Sequence, residues 1–341
     1  MRIVAIIVNY RTPGLVIRCL TALAEERDAL PDLRAVVADN NSEDGSAERL
    51  SIELSGTAFA DWVKFVALPI NGGFGWGNNQ AILHYLRDQP LPDAIYFLNP
   101  DTALEPGALS TLVRDLENKP DAGAIGSQLI NVDGSLAGSA FRFPSIGREF
   151  TRGLGIGTVE RLLGIAPILV PFGVRQPVDW VTGASVLIRT AAIAESGLFD
   201  TGFFLYFEEV ELMYRLRKNG WQTYHCPESR VMHIAGASTG VVNGKTDGDR
   251  PPPDYFFRSR KRFFLLTGGK ARSIFADIAW LVGAVTASFV RILLLGRHRA
   301  PSRSERMALV RIGLVAREGE TLPAISHFDE RVGEQPAWMR K

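Results

Sequence analysis

Cysteine is scarce in this sequence, which holds only Cys19 and Cys226 among 341 residues. Two cysteines are too few for a disulfide framework or a zinc ribbon, so a reducing compartment is expected. An excess of one charge sign is also lacking, because 38 Lys and Arg residues oppose 37 Asp and Glu residues. This balance argues against nucleic acid as the main partner, because nucleic-acid-binding domains are usually basic.

Long uninterrupted hydrophobic runs are missing as well. The apolar run Ile3–Val8 is short and leads into polar residues from Asn9 onward, whereas a secretory signal needs a longer apolar core and a small-residue cleavage site. The run therefore predicts a buried strand. The apolar segment from Ile274 to Gly296 is interrupted by Asp277 and Arg291. The uncharged stretch between these charges is shorter than the roughly 20 residues of a spanning helix. A cytoplasmic protein is expected.

The rest of the first half alternates between strand-like and helical patterns. Runs rich in Val, Ile and Ala predict strands, and the segments between them predict helices. This order predicts an α/β fold with a mostly parallel, Rossmann-like sheet and helices on both faces. The expected strands are Ile3–Val8, Arg34–Ala38, Val63–Ala67, Ala94–Leu98 and Ala122–Leu129, and the expected helices are Pro13–Glu26, Gly45–Leu54, Gly77–Arg87 and Pro106–Glu117, with Pro106 in the first turn.

Polar clusters follow these strands, and ligands in such sheets bind at the carboxyl ends of the strands. We therefore expect the clusters to share one rim. The glycines between Gly72 and Gly77 permit close backbone approach to a phosphate, but they follow the third strand, whereas a dinucleotide fingerprint follows the first. A plain loop here, and a plain helix N-cap at Asp39, are the alternatives. The clusters are Asn9–Arg11, Asp39–Ser42, Asn71–Asn79 and Asn99–Thr102.

Asp101 is the strongest candidate for a metal ligand. A buried strand delivers its carboxylate at an exposed end, in a stiff turn that contains Pro100. Mg²⁺ commonly takes one or two carboxylates plus substrate phosphates, so this position suits it. The alternative is that Asp101 caps the helix that begins near Pro106.

The second half of the chain adds candidates for acid–base chemistry. Glu208 and Glu209 follow an aromatic run at a predicted helix start, where either a general base or complementarity to the helix dipole explains them. Glu211 and Arg215 have the spacing of an ordinary i,i+4 ion pair. His233 follows a short apolar run and is either a structural residue or a ligand.

Taken in order, these motifs resemble glycosyltransferase family 2, and more narrowly its bacterial rhamnosyltransferase-like branch. The resemblance covers about Met1 to Gly240 and continues weakly to about Gly268. It implies a GT-A fold, a nucleotide-diphospho-sugar donor and an inverting transfer. The motifs are Asn-Tyr-Arg, Asp-Asn-Asn-Ser, Asn-Gly-Gly-Phe-Gly-x-Gly-Asn-Asn, Asn-Pro-Asp, Trp-x-x-Gly-Ala, Phe-Glu-Glu-x-Glu and a later His.

The resemblance also implies roles for single residues on the donor side. Asp101 would bind Mg²⁺ or Mn²⁺, and His233 would complete the metal or diphosphate site. Asn99 stands at the first position of the family's Asp-x-Asp-type motif, which leaves one fewer charge for the metal. The donor-binding residues would be Asn9, Tyr10 and Arg11 around the nucleotide pocket, Asp39 on the base, Asn71, Gly75 and Asn78 along the donor, and Asn99 and Asp101.

On the acceptor side, the resemblance makes Glu209 the general base, with Glu208 as the fallback, where the family usually has Glu-Asp. Trp180, Gly183 and Tyr206 would contact the acceptor, with core packing as the alternative for the aromatic residues. The resemblance favours dTDP-L-rhamnose as donor and a lipid-linked or growing polysaccharide as acceptor, in cell-envelope polysaccharide synthesis. UDP-linked sugars, including galactofuranose, stay open.

Two other classes of function use related folds or sites. A sugar-phosphate nucleotidyltransferase should carry a glycine-rich loop with Arg and Lys after its first strand, and Asn9 to Gly14 does not provide one. A non-catalytic carbohydrate-binding protein on a transferase fold would not need Asp101, Glu209 and His233 together. Both alternatives are therefore disfavoured.

The chain is expected to divide near residue 268. Residues 1–268 would form the glycosyltransferase domain, with a nucleotide-binding half, 1–130, and an acceptor half, 131–268. Residues 269–341 would form a helical extension. The oligomeric state is open.

The extension contains the apolar segment from Ile274 to Gly296, flanked by the basic clusters Arg258–Arg262 and Arg297–Arg303. On a helical wheel its apolar residues cover one wide face. This pattern indicates a helix in the interface of an anionic membrane, or a helix packed on the protein or in a dimer. Peripheral attachment to the cytoplasmic face of the membrane is expected, without a span.

Overall fold

The computed structural model describes residues 1–56, 58–234, 241–242, 245–246, 252–293, 301, 303–315 and 322–339. Of the second basic cluster, Arg297, His298 and Arg299 lie outside the described residues. Residues 294–296 of the apolar segment do so as well.

The strands of the described part include all five that the sequence predicts, each within one or two residues of the expected bounds. They are β1 (Ile3–Asn9), β2 (Leu33–Asp39), β3 (Val63–Ala67), β4 (Ala94–Leu98), β5 (Thr102–Leu104), β6 (Ala122–Ile130), β7 (Ala140–Phe141), β8 (Gln176–Val178), β9 (Trp180–Val181), β10 (Ser185–Arg189), β11 (Gln222–His233), β12 (Val241–Val242) and β13 (Lys245–Thr246).

The helices of the described part include all four predicted ones, with two corrected starts. They are α1 (Pro13–Ala24), α2 (Ser46–Leu54), α3 (Phe74–Tyr85), α4 (Ala108–Asn118), α5 (Ile146–Leu154), α6 (Gly157–Leu162), α7 (Thr190–Ser196), α8 (Glu208–Lys218), α9 (Asp254–Leu293) and α10 (Arg303–Leu309), with 3₁₀ turns at Glu25–Asp28 and Ala337–Met339 and a π-helical turn at Val310–Val315.

The corrected starts have local causes. Helix α3 begins at Phe74, three residues before the expected Gly77, because Gly73 has a φ of 90° and turns the chain there. Helix α4 begins at Ala108 behind Gly107, whose φ is 81°. Pro106 therefore lies before the helix, and its expected place in the first turn is wrong. Asp101 precedes β5 and does not cap α4.

A mixed sheet forms the centre of the fold, with the order β3-β2-β1-β4-β10-β6-β11-β5 and with β8 paired to β11. β1 to β4 run parallel, and β6 runs parallel to β11. β10, β5 and β8 are antiparallel to the strands they join. The expectation of a mostly parallel α/β sheet is confirmed.

Both faces of this sheet are buried, which explains why its strands are almost continuously apolar. Along β1, Val4 and Ile6 point into one core cluster with residues of α3, α7 and α8, while Ile3, Ala5 and Ile7 point into a second cluster with α1, α2 and α4. The polar ends of the strands are consequently the part of the sheet that can meet a ligand.

Helix α9 is interrupted where the chain was expected to divide. Gly268 and Gly269 have non-helical backbone angles, and Gly269 has a φ of 72°. The segment before the break packs into the first core cluster through Phe263 and Phe264. The segment after it packs against α5. The predicted domain boundary stays a prediction, although the break falls at the same place.

Candidate active site

The ends of β1 and β2 form one part of the rim. Asn9 and Asp39 are paired in the parallel register. The Asp39 carboxylate accepts hydrogen bonds from Asn9 Nδ2 at 2.7 Å, from Ser42 Oγ at 2.6 Å and from the Ser42 backbone N at 3.0 Å. Asp39 is thus held rigidly in a buried turn. It does not cap α2, which begins behind Gly45.

Arg11 lies beside this turn in an uncommon backbone conformation. Its φ is 60°, a left-handed value that non-glycine residues adopt rarely and often at functional sites. Its backbone N donates to Ser42 Oγ at 2.9 Å, and its Nε donates to the Ser42 carbonyl at 3.0 Å. The guanidinium group lies over the Tyr10 ring, 4.9 Å from its centroid. Asn9, Tyr10, Arg11 and Asp39 therefore come together.

The glycine-rich loop after β3 packs closely against the chain that carries the acidic pair. A Cβ added at Gly73 would lie 2.0 Å from the Phe204 carbonyl oxygen. One added at Gly75 would lie 2.9 Å from the Phe199 Cβ, with the Glu208 Cβ next at 3.6 Å. Neither position has room for a side chain without movement. The close approach explains why glycine stands at both.

Amide side chains hold this loop in shape. Asn71 Oδ1 accepts hydrogen bonds from the Gly73 backbone N at 3.1 Å and from Asn40 Nδ2 at 3.0 Å. Asn78 is buried, and its Nδ2 donates to the Phe74 carbonyl at 2.9 Å. Asn71 thus lies in the loop, whereas Gly75 and Asn78 lie in the first turns of α3, with Gly75 beside Glu208.

Asp101 and His233 meet although 132 positions separate them in the sequence. β5 pairs with the end of β11, which places His233 opposite Thr102, and His233 Nε2 lies 3.2 Å from Asp101 Oδ1. Asn99 Nδ2 lies 3.5 Å from the same ring nitrogen. Asn99 Oδ1 is buried and has no hydrogen-bond partner. A carboxylate, an imidazole and an unpaired amide oxygen therefore converge at this edge.

A complete protein-only metal site is not formed there. No group of three or more His, Cys, Asp and Glu side chains suitable for a metal occurs in the part of the chain that the structure describes.

Glu208 and Glu209 begin α8. Just before them, Tyr206 and Phe207 have successive φ values of 70° and 69°, so a tight turn delivers the two acids. Side-chain oxygens of both, the Oε2 atoms, are buried without a hydrogen-bond partner. Glu211, by contrast, accepts from Arg215 Nε at 2.8 and 2.9 Å, so its predicted structural pairing is confirmed.

Burial sets the protonation of the acidic pair. It raises the pKa of Glu209 from 4.5 to about 7, against backbone N–H groups at the start of α8 that favour the charged form. Burial and the neighbouring charge of Glu209 also raise the pKa of Glu208 well above its usual value. A carboxylate with a pKa near neutrality is a better proton acceptor than an ordinary one.

The turn before β10 connects the acidic pair with the end of β4. A Cβ added at Gly183 would lie 3.8 Å from the Glu209 Cβ, and the adjacent Ala184 carbonyl accepts from the Asn99 backbone N at 3.0 Å. Asn99 and Glu209 thus flank the same short turn. The turn brings the Asp101 edge and the acidic pair into one region.

Each of the two aromatic residues predicted to contact the acceptor packs against another aromatic ring. Trp180 stacks on Phe141 with centroids 4.2 Å apart, and its Nε1 donates to the Arg142 carbonyl at 3.1 Å. Tyr206 stacks on Tyr255 with centroids 6.0 Å apart. Both side chains remain partly exposed. Gly183, not Trp180, is the member of this group that lies against Glu209.

The sequence reasoning missed a contribution from the end of the chain. Trp338 Nε1 donates to the Gly72 carbonyl at 2.9 Å, and its ring lies 4.9 Å from that of Phe204. Trp76 Nε1 donates to the Glu334 carbonyl at 2.7 Å. The C-terminal residues therefore fasten the glycine-rich loop to the segment before the acidic pair. Nothing in the local sequence around Trp338 signals this contact.

Comparison with known proteins gives a family match and several named relatives. The family model described as glycosyl transferase family 2 matches residues 4–155. An N-acetylglucosaminyl-diphospho-decaprenol L-rhamnosyltransferase of Mycobacterium tuberculosis is 28% identical over 243 residues, which is 64% of this chain and 71% of that protein. Rhamnosyltransferase WbbL of Escherichia coli is 28% identical over 169 residues, which is 48% of this chain and 61% of that protein.

Solved structures resemble the fold across most of the chain. Residues 1–349 of S. aureus TarS superpose with a TM-score of 0.52 at 12% identity, covering 92% of this chain and 79% of that one. The mannosyltransferase PcManGT from Pyrobaculum calidifontis, solved with GDP-Man and Mn²⁺, has a TM-score of 0.51 at 14% identity with the same coverage. At such identities the likeness concerns the fold alone.

The fold is GT-A-like. Residues 4–155 match the glycosyl transferase family 2 model, and proteins named rhamnosyltransferases are among the relatives, in line with the sequence resemblance. The family match and these relatives support a glycosyltransferase.

Proposed function

We propose that this chain transfers a sugar, L-rhamnose in the first instance, from a nucleotide-diphospho-sugar to a hydroxyl of a lipid-linked saccharide, with inversion at the anomeric carbon. The contact of the Gly183–Ala184 turn with both Glu209 and Asn99 supports this proposal most. It puts a candidate base and a candidate diphosphate site on the same rim. The names of two relatives, a rhamnosyltransferase and an L-rhamnosyltransferase, support the choice of sugar.

The donor would lie along the rim from β1 to β5. The rigid Asp39 carboxylate, presented by Asn9 and Ser42, would accept a hydrogen bond from the base of the nucleotide. Tyr10 and Arg11 would border the pocket. The glycine-rich segment from Asn71 through the start of α3, which holds Gly75 and Asn78, would let the backbone approach the donor closely. Either a dTDP-linked or a UDP-linked sugar fits this description, and dTDP-L-rhamnose is the donor that we propose.

Residues beside the Asp101 edge fit a divalent cation. The Asp101 carboxylate and the His233 imidazole would bind Mg²⁺ or Mn²⁺, and the unpaired buried Asn99 Oδ1 provides a third oxygen or nitrogen donor of the kind these ions accept. A bound cation would offset the negative charge that develops on the diphosphate leaving group. With a single carboxylate, the protein alone provides less charge than a two-carboxylate site.

Proton removal would be the task of Glu209. In its charged form this carboxylate would take the proton from the acceptor hydroxyl while the hydroxyl oxygen bonds to C1 of the sugar. The bond from C1 to the diphosphate breaks in the same step, and the nucleoside diphosphate leaves from the opposite face. One displacement inverts the anomeric centre, and general-base assistance contributes roughly 10²–10⁴-fold to the rate.

The acceptor would enter beside Gly183, which packs against the Phe74 ring and lies next to Glu209. Tyr206 and the free part of Trp180 would border the saccharide. A lipid-linked N-acetylglucosaminyl diphosphate is the first acceptor to examine, because the mycobacterial relative is named for that substrate.

A donor screen tests this function. The chain is mixed with dTDP-L-rhamnose and a set of UDP- and GDP-sugars, with and without Mn²⁺, and binding is followed by thermal shift. We expect dTDP-L-rhamnose to stabilise the chain in a Mn²⁺-dependent manner, with the variant Asp101→Ala losing the Mn²⁺-dependent part. Stabilisation by none of these nucleotide-sugars would contradict the proposal.

A further inference from the structure

The second half of helix α9, residues 270–293, has its polar and apolar sides in unusual places. The side that faces the protein holds small residues, Trp280 and the charged Asp277, whereas most of the large aliphatic residues and two phenylalanines face outward. The buried residues are Ser273, Ala276, Asp277, Trp280, Gly283, Ala284 and Ala287, and the exposed ones are Ile274, Phe275, Ile278, Val282, Val285, Phe289, Ile292 and Leu293, each with 44 to 79% of its surface exposed. We call the latter set the outer face.

Close backbone packing fixes this orientation. A Cβ added at Gly153 of α5 would lie 2.2 Å from the Trp280 carbonyl oxygen, and one added at Gly283 would lie 2.2 Å from the Phe150 carbonyl oxygen. The two helices therefore touch through their backbones. Rotation of α9 would bring larger side chains into a gap that only glycine fits.

A buried network of ion pairs also fixes the orientation of α9. Arg260, which is 2% exposed, donates to Asp277 and to Glu149 Oε2, the latter at 2.9 Å. Arg152 Nη2 also donates to Glu149 Oε2, at 2.8 Å. Turning the helix outward would separate Asp277 from Arg260 and leave buried charges unpaired, which is strongly unfavourable. The outer face is thus held away from the protein.

Helix α10 and the turn that follows it also expose apolar side chains. Leu309 of α10 and Ile312 of the following turn pack with Trp280 and Ala284 of α9. On the same elements Met307 is 60% exposed, and Val310 and Leu314 are also exposed. Large apolar side chains exposed in this number indicate an interaction site rather than an ordinary protein surface.

The excess of basic residues around this face indicates an anionic partner. The segment 254–315 holds 12 Lys and Arg residues against 3 Asp and Glu residues, although the whole chain has 38 against 37. The rest of the molecule is consequently acidic. Some of these basic groups are used internally, as Arg260 is, but Arg258, Lys270 and Arg303 are exposed. An apolar face within the basic part of a near-neutral chain is typical of a surface that binds anionic lipid.

The helix could be considered as a membrane span instead. By length and composition alone, Asp254–Val290 qualifies within the described residues, with a mean hydropathy of 1.7 over an 18-residue window of that helix. Three features oppose a span: the break at Gly268–Gly269, the buried pairing of Asp277 with Arg260, and the packing of a whole side of the helix on α5.

We propose that the outer face of residues 270–293 inserts into the interface of an anionic bilayer, so that the chain attaches peripherally to the cytoplasmic face of the membrane. Binding of this face to a membrane does not depend on the proposed reaction. The benefit of that binding rests on the proposed function, because a membrane-bound chain would meet a lipid-linked acceptor at the membrane surface.

Vesicle flotation of the full chain tests this proposal. The wild type is compared with Ile278→Ser/Val285→Ser/Phe289→Ser on the outer face. The matched control, Ile52→Ser/Leu91→Ser/Val132→Ser, removes exposed apolar residues elsewhere on the molecule. Vesicles contain either phosphatidylcholine alone or phosphatidylcholine with phosphatidylglycerol. Donor binding by thermal shift, measured on the same samples, reports whether each variant is folded.

We expect the wild type and the control to float with the anionic vesicles and to float less at high salt. The outer-face variant should lose about tenfold or more in partitioning while it binds donor like the wild type. Equal flotation of all three proteins would overturn the proposal. The proposal would also be overturned if no protein floated with any vesicle while the wild type sedimented as a dimer and the outer-face variant as a monomer. The outer face would then join two copies of the chain. Donor binding with no flotation separates failure of this inference from failure of the proposed function.

Discussion

Replacing Glu209 by Gln should alter stability and activity in opposite directions. Burial holds the pKa of Glu209 at about 7 in the folded chain, against an ordinary value of 4.5. The folded state therefore binds more protons than the unfolded state between these values. The stability linked to this group is fully present below pH 4.5 and is lost as the pH rises through about 7.

The size of this effect follows from the shift. Each pKa unit corresponds to about 1.4 kcal/mol, so the charged carboxylate costs the folded state about 3 kcal/mol at most at high pH. Gln has the same shape and does not ionise. The Glu209→Gln variant should thus gain up to about 3 kcal/mol in free energy of unfolding, relative to wild type, between about pH 5 and pH 8.

Activity should respond with the opposite sign. A base must be deprotonated to act, so transfer by the wild type should rise with pH through an apparent pKa near 7. Because Glu208 adjoins Glu209 and its pKa is also raised, the pair would set this value together. The Gln variant should retain donor binding and lose most of the transfer rate at every pH.

Urea unfolding at a series of pH values, beside a pH–rate profile, measures both effects. The control is Glu117→Gln on the exposed part of α4, which should leave the pH dependence of stability and activity unchanged. If Glu209→Gln shows the same pH dependence of stability as the wild type, the carboxyl is not held protonated by burial. In that case the reasoning about its basicity is refuted.

Three further predictions concern other parts of the rim. Asp101→Ala should lower turnover by orders of magnitude and remove Mn²⁺-dependent nucleotide binding with the melting temperature little changed; donor and metal binding like wild type, in titration calorimetry, would contradict its role. Glu208→Gln should slow transfer less than Glu209→Gln in the same rate assay, and the reverse order would exchange their roles. Trp338→Ala should raise the KM for donor severalfold through loss of the hydrogen bond to Gly72, worth about 1 kcal/mol; an unchanged KM would show that this contact does not shape the loop.

The fold was predictable because its signals are local. β1 to β4 are apolar on both faces and end in polar turns, so their bounds could be read almost to the residue. Helix starts were less certain, because Gly73 and Gly107 set them through left-handed backbone angles that composition does not reveal.

The contacts among the candidate site residues could not be predicted from the sequence. That Asp101 and His233 share an edge depends on the antiparallel pairing of β5 with β11, two strands far apart in sequence. The role of Trp338 depends on a contact across 266 positions, and a lone Trp in a polar tail carries no signal of it. The orientation of α9 likewise depends on Asp277 meeting Arg260, which a helical wheel does not show.

The most direct test of the account is transfer itself, with the base present and absent. Labelled L-rhamnose is followed from dTDP-L-rhamnose to a polyprenyl-diphospho-N-acetylglucosamine, by wild type and by Glu209→Gln, with donor binding measured on the same preparations. The account predicts a product inverted at C1 from the wild type, and a variant that binds donor but transfers about 10²–10⁴-fold more slowly. A product with retained configuration, or a variant as fast as the wild type, would contradict it.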